Sequence, residues 1–254
     1  MTSVAFQCYL ESGEPQMLGT APKAPIAPGR TESRTLAKFP LFAGLAGEDI
    51  RTLDSRCLWR RVPGGEWVID YKGDGADVYF VATGLARVVI VSAGREMILR
   101  DIREGEYFGH YSAIDGKARS AAIVAVTDCI VARMSAPVLW ETVHAHVSVR
   151  ENIMRDLVAD IRTANQRAHE QANYDVRKRL CAELIRLSRT TGEGRVVVSP
   201  PPTHAEFAAR ISTHREAVTK ALSALEREGM LSRSPSAIVL NDVDRLRRAL
   251  AADD

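Results

Sequence analysis

Cysteine is scarce in this sequence and widely scattered. Cys8, Cys57, Cys129 and Cys181 show none of the short spacings that zinc or iron–sulfur sites use, so they read as thiols buried in a reducing compartment. Long apolar runs are also missing. No stretch approaches the roughly 20 residues that a membrane-crossing helix needs, and the N-terminus shows no basic start followed by an unbroken apolar segment. The expectation is a cytoplasmic protein without a membrane partner. An excess of one charge is absent too: 34 Lys and Arg face 32 Asp and Glu, so a net charge of +2 does not by itself imply a polyanionic partner, and any case for DNA must rest on local residues. Catalytic signatures are lacking as well. Gly192-Glu193-Gly194 has no remainder of a dinucleotide fingerprint, and neither a phosphate-loop lysine motif nor a nucleophile elbow occurs, so the reading is of a protein that is not an enzyme. His144 and His146, two apart on an expected helix, face different directions, and no metal site is expected.

What is present suggests two domains. A chain of 254 residues exceeds a typical single domain, and its 46% apolar content is enough for two cores. Residues 1 to about 33 carry Pro15, Pro22, Pro25 and Pro28 with little apolar surface, and read as a flexible extension. From Phe39 to Leu53, apolar residues recur at roughly helical spacing. Between Val62 and Met134 come short β-branched runs: 67–69, 78–81, 88–91, 97–99, 123–126 and 130–131. Glycines punctuate them, which argues for a β-sandwich or roll rather than alternating βαβ units.

Glycine then disappears between Ser135 and Gly192, and Met154, Leu157, Ile161, Ala164 and Ala168 alternate spacings of three and four. That is the seam of a coiled coil, and it predicts a homodimer built on one long helix; the competing reading is an amphipathic helix packed on its own domain. Asp175–Ser188 reads as another helix, followed by a short strand at 196–198. Next, Thr203-His204-Ala205-Glu206 has the form of a capping box, and Thr213-His214-Arg215-Glu216 has the same form a short turn later. Two helix starts this close predict a short helix, a tight turn and a longer helix. In the longer one Val218, Ala221, Leu222 and Leu225 define the buried face. Glu216, Thr219, Lys220, Ser223 and Arg227 must then point outward, with Arg215 at the exposed N-terminal end. A helix in the major groove touches bases with such residues: Arg can bridge guanine O6 and N7, and Glu can accept from cytosine N4. A solvated face in a helical bundle is the alternative. Gly229, followed by Leu231-Ser232-Arg233 and Ile238-Val239-Leu240, adds the hairpin of a wing and favours DNA.

Over about residues 36 to 250 the sequence resembles the Crp/Fnr family of transcription regulators. Thr203 to Lys220 is similar to the family's DNA-reading motif, and 221–231 follows its pattern closely. The resemblance implies an α+β fold: an N-terminal β-roll or jelly-roll sensor over 34–145, a dimerisation helix over 146–174 and a winged helix-turn-helix over 175–254. It implies base reading by Arg215, Glu216 and Lys220, and phosphate contacts from Thr203 and His214 with His204 beside them. The implied partners are inverted-repeat double-stranded DNA, a second copy of the chain, and RNA polymerase. Gly105 to Ala121 resembles the phosphate-binding cassette of cyclic-nucleotide-binding domains, in which a short helix presents backbone N–H groups to a cyclic phosphate and an arginine neutralises it. Arg119 fits that arginine and Ser120 adds a hydroxyl. The implied effector site comprises Val88, Leu99, Gly109, His110, Tyr111, Arg119, Ser120, Ala121 and, on the long helix, Thr163 and Asn165. Its implied effector is cyclic AMP or cyclic GMP, with no cofactor required. One position departs from the pattern: the family's cyclic-nucleotide binders carry a glutamate after the Phe-Gly pair to accept from the ribose 2′-OH, and here it is His110. A neutral imidazole accepts one hydrogen bond without the carboxylate's charge. Two alternatives therefore stay open, a regulator that binds DNA without a cyclic nucleotide, and one that senses another ligand such as a haem-bound gas.

Overall fold

The computed structural model describes residues 34–70, 75–92 and 94–251; the expected extension over 1–33, with Cys8, lies outside them. Two compact units divide between Ile161 and Arg162. In the first, eight strands form two antiparallel four-stranded sheets. One has the order β1 (Leu58–Val62), β8 (Cys129–Met134), β3 (Val78–Thr83), β6 (Tyr107–Phe108). The other runs β2 (Trp67–Ile69), β7 (Ala122–Ala125), β4 (Leu85–Ser92), β5 (Arg95–Arg103).

The pleat explains how the first sheet comes to have two buried faces. On β8, Cys129 and Val131 join Val81, Ala86, Ile102 and Ile123 between the sheets, while Ala132 and Met134 turn the other way. On that second face Val78, Phe80 and Ala82 meet Leu139 and Val143 of α3 (Ala136–Ala145) and Val149 and Ile153 of α4 (Val147–Asn173). Phe80 sits at the centre, its ring 5.2 Å from those of Phe39 and Phe42. Across β4 and β5 the register pairs Arg87 with Asp101, whose side chains meet at 2.7 Å.

In the second unit α5 (Val176–Leu187), α6 (His204–Arg210), α7 (Arg215–Arg227) and α8 (Val243–Ala251) enclose a core of Leu180, Leu184, Phe207, Leu222, Leu225 and Leu246. A small antiparallel sheet has the order β11 (Leu231–Arg233), β12 (Ile238–Leu240), β10 (Val196–Val198), β9 (Arg189–Thr190). The wing expected after Gly229 is the β11–β12 pair.

Two local expectations are corrected. The single helical region over Phe39–Leu53 is instead two 3-10 turns, Leu36–Lys38 and Pro40–Phe42, followed by α1 (Gly47–Ser55). Phe39 precedes Pro40 and is extended, as the proline ring demands, so the helix cannot run through. Strand β1, ahead of the expected runs, carries Arg60 and Arg61 at its centre. It is a sheet edge, where Arg61 pairs with Asp128 at 2.5 Å and Arg60 donates to the Val68 carbonyl at 2.8 Å.

The β3–β4 turn depends on Gly84, at φ +92, where an added Cβ would fall on the Asp128 carbonyl oxygen and lie 2.8 Å from Cys129 Sγ. Gly84→Ala is expected to cost about 3 kcal/mol, from left-handed strain plus a forced backbone shift. Gly94→Ala, at φ +72 in open space, should cost only about 1 kcal/mol. Urea unfolding of both variants checks the difference.

Candidate functional site

In the first unit, β6 ends at Phe108 and the chain turns at Gly109 into α2 (His110–Asp115). Arg119 folds back beneath this turn and is buried; its Nη1 donates to the Gly109 carbonyl at 3.0 Å and its Nη2 to the Asp77 carbonyl at 2.8 Å. Burial pulls its pKa below the ordinary guanidinium value against the pull of Tyr79 and Asp77. Two of its five N–H donors are thus committed to the main chain. Ser120 is exposed and Ala121 half-buried beside it, while Val88 on β4 and Leu99 on β5 are half-buried.

His110 is buried, with no hydrogen-bond partner for Nδ1 among the described residues, and its Nε2 lies 3.4 Å from Asp160 Oδ2 on α4. The same carboxylate accepts from the Tyr111 hydroxyl at 2.8 Å and stands 3.7 Å from Arg100 Nη1. One helical turn earlier Asp156 accepts from the Tyr107 hydroxyl at 2.7 Å. Residue identity alone did not single out Asp156, Asp160, Tyr107 or Arg100. The signal available was the matched spacing of four between the two tyrosines and between the two aspartates. Thr163 and Asn165 lie on α4 beyond Ile161, in the second unit.

The candidate seam residues share the outer side of α4. Met154 and Ile161 are 59% and 60% exposed and Val158 joins them at 49%, whereas Leu157 is half-buried; Ala164 and Ala168 are exposed. Large apolar side chains left in water by their own chain mark a surface that something covers.

In the second unit, Thr203 caps α6 as expected: its hydroxyl accepts from the Glu206 N–H at 3.2 Å, and the Glu206 carboxylate accepts from the Thr203 N–H at 2.8 Å. The second expected box is not formed. The N-cap of α7 is His214, with no side-chain cap, because the α6–α7 turn ends one residue later than the pattern suggests. Ser212 takes a left-handed conformation, φ 51, and the Thr213 N–H bonds back to the Ala208 carbonyl at 3.0 Å, so Thr213 is used in closing α6.

Val218, Ala221, Leu222 and Leu225 bury one face of α7, and His214, Arg215, Glu216, Thr219 and Lys220 are exposed on the other. His204 is half-buried and braces the two helices. The Thr219 hydroxyl donates to the Arg215 carbonyl at 3.0 Å and so accepts from His204 Nδ1 at 2.8 Å. Burial, with Arg233 and Arg215 nearby, lowers the His204 pKa, so the ring is neutral at physiological pH. On the wing Arg233 is clamped to Glu226 at 2.5 Å.

Among the described residues, no helix is long and apolar enough to cross a membrane, and no group of three or more His, Cys, Asp or Glu side chains is placed to hold a metal ion. Residues 59–146 match the cyclic nucleotide-binding domain family and residues 178–249 the Crp-like helix-turn-helix domain family. The chain is 30% identical to the cyclic AMP receptor protein of Thermus thermophilus over 80% of its own length and 93% of the relative's. It is 24% identical to a CRP-like cAMP-activated global transcriptional regulator of Mycobacterium tuberculosis, over 84% and 97% of the two chains. Among solved structures, a CRP/FNR-family transcriptional regulator from Thermus thermophilus superposes with a TM-score of 0.62 at 25% identity, covering 78% of this chain and 100% of that one. A CooA variant from Carboxydothermus hydrogenoformans shares the fold with a TM-score of 0.72 at 18% identity, covering 86% and 99%.

The Asp160 carboxyl makes a pH prediction. Burial pushes its pKa up, but His110, Tyr111 and Arg100 together hold it below the usual carboxylate value. A carboxyl depressed in the folded state adds stability above its unfolded pKa, about 3.9, and loses it as pH falls through the lower folded value. The stability difference between wild type and Asp160→Asn should therefore be level above about pH 5 and shrink toward strong acid. Urea unfolding across that range checks it.

Proposed function

Because the chain belongs to the Crp/Fnr family of transcription regulators, we propose that it acts as a dimer that reads an inverted-repeat operator, with DNA affinity set by a ligand held in the β-roll. The observation that carries the DNA reading is the two-faced helix α7. Its apolar residues are buried in the unit's core, while Arg215, Glu216 and Lys220 are left exposed at its N-terminal end, the end that enters a major groove in helix-turn-helix proteins. Thr203, His204 and His214 flank that end and suit phosphate contacts, His204 additionally bracing α7 through Thr219. The apolar stripe Met154, Leu157, Ile161, Ala164 and Ala168 supplies the subunit seam, continued by Val158. Pairing through it would set two recognition helices about 34 Å apart, the spacing of successive major grooves. RNA polymerase is the further partner in this reading, and the cytoplasm its compartment.

For the effector we infer a cyclic nucleotide, in keeping with the cyclic nucleotide-binding domain match and a relative that is a cyclic AMP receptor. Arg119, at the base of the cassette, is its phosphate partner, with Ser120 and the Gly109–Tyr111 turn around it and Val88 and Leu99 as apolar lining. A second reading, DNA binding without a cyclic nucleotide, is favoured by one specific observation. Tyr111 and Arg119 already have partners in Asp160, Gly109 and Asp77, so a ligand that uses these groups must displace those contacts before it gains its own.

Two experiments follow. In selection from random DNA the wild type is expected to return a symmetric motif with TGTGA-like half-sites. Arg215→Ala should lose about 1–3 kcal/mol and its preference at one G·C pair. Replacing Leu157 and Ile161 with Glu should leave monomers that bind single half-sites. A motif without symmetry, or one unchanged in Arg215→Ala, would sink the assignment of α7. Calorimetric titration with cyclic AMP and cyclic GMP separates the effector readings. Binding that is lost in Arg119→Ala and tightened by about 1–3 kcal/mol in His110→Glu supports the cyclic nucleotide. No binding to wild type or His110→Glu supports the second reading.

A further inference from the structure

His204 is the first residue of α6, and Thr219 on α7 makes its two ring nitrogens unequal. The Thr219 hydroxyl has one hydrogen and gives it to the Arg215 carbonyl, one turn back on α7, at 3.0 Å. Toward His204 Nδ1, 2.8 Å away, the same oxygen can only accept. Nδ1 therefore carries the ring hydrogen, and in the neutral imidazole Nε2 is a bare lone pair. A lone pair repels a phosphate oxygen. It becomes a donor only when Nε2 takes up a proton, because the imidazolium donates from both nitrogens. The charges set around the ring are cations, Arg215 from α7 and Arg233 from the wing, and together with burial they hold its pKa below the usual histidine value. Arg233 is already engaged: Glu226 accepts from its backbone N–H at 3.2 Å and from its Nε at 3.0 Å. On α6 itself the Glu206 carboxylate is committed to the Thr203 N–H at 2.8 Å. A DNA phosphate brought to Nε2 supplies a negative charge beside the ring and favours the imidazolium.

We propose that His204 couples DNA binding to proton uptake: each subunit takes one proton from solvent onto His204 Nε2 as the ring meets a backbone phosphate. This rests on the DNA reading above, in which His204 flanks the reading end of α7, and adds that the contact is open only to the protonated ring. The sign follows from linkage. Affinity is highest at a pH where the ring is already charged in the free protein. It falls as the pH rises from the free-state pKa to the higher DNA-bound one, and levels off beyond it.

The probe is the duplex most enriched in selection from random DNA on the wild type, bound to the full chain and followed by fluorescence anisotropy at fixed ionic strength. Affinity is expected to fall between about pH 5 and 8, by up to about tenfold per pH unit for each His204 that titrates. His214 is exposed and titrates as well, so the variants are compared with the wild type. His204→Arg, permanently charged, should hold its affinity to higher pH, and His204→Gln should bind more weakly at low pH; both should lose the His204 part of the slope. Thr219→Val removes the acceptor, frees the ring to carry its hydrogen on Nε2, and should flatten the slope with His204 in place. A ring that only braces α7 predicts instead an equal loss at every pH. Long-range 1H–15N spectra, with the His204 signal identified by its absence from His204→Gln, should show a bare Nε2 in the neutral free protein and a higher pKa in the complex. A slope unchanged in His204→Gln or Thr219→Val, or a His204 pKa that does not rise on binding, overturns the proposal and leaves the DNA reading standing. Absence of sequence-specific binding at every pH overturns both. If a variant fails to fold, the wild-type spectra decide alone.

Discussion

Helix α4 carries two different stripes within one helical period, and much of the first unit follows from how it does so. Val149, Ile153, Asp156 and Asp160, spaced four, three and four, turn toward the β-roll. Met154, Val158 and Ile161 repeat the same spacing about a hundred degrees around the helix and stay in water. The helix of 27 residues thus carries one buried stripe and one apolar stripe left exposed. Residues packed on the β-roll and exposed apolar residues therefore alternate along the first half of α4.

The chemistry of the β-roll site follows from the same helix. At the position where a carboxylate accepts a ribose hydroxyl in cyclic-nucleotide binders, this chain has a buried imidazole, and a carboxylate is instead delivered from α4 by Asp160. The negative charge is retained but belongs to α4 rather than to the cassette. Asp160 accepts from the Tyr111 hydroxyl, with Arg100 and His110 close by, and Asp156 accepts from the Tyr107 hydroxyl, so α4 is held to the β-roll by two charge-assisted hydrogen bonds as well as apolar contact. Each such bond is typically worth about 1.5–3 kcal/mol when a charged group takes part. A ligand entering here competes with the protein's own side chains.

In the DNA-reading unit, rigidity comes from behind the reading surface. The apolar core fixes α7 from one side, the Thr203 capping box and the His204–Thr219 bond set its entry, and the Arg233–Glu226 clamp holds the wing to its end. Beneath them Glu183 and its guanidiniums join three helices. Arg215, Glu216 and Lys220 are left exposed on the opposite side of α7 from that core.

Periodicity made much of this legible in advance. The alternating β-branched runs, the apolar stripe on α4, the apolar face of α7 with its outward Arg215, Glu216 and Lys220, the Thr203 box and the wing all depend on neighbours a few residues apart, where backbone geometry dictates which side chains share a face. The sequence by itself thus determined the elements, their faces and the family. Tertiary structure alone decided the remainder: that Pro40 divides the first helical region, that Ser212 moves the start of α7 to His214, that an arginine-rich segment forms the edge strand β1, that Asp160 meets His110 from 50 residues away, and that Glu183 is surrounded by guanidiniums. The physical reason is that a charge or polar group finds its partner through space, and the free energy of that pairing depends on burial and distance, neither of which is written in local spacing.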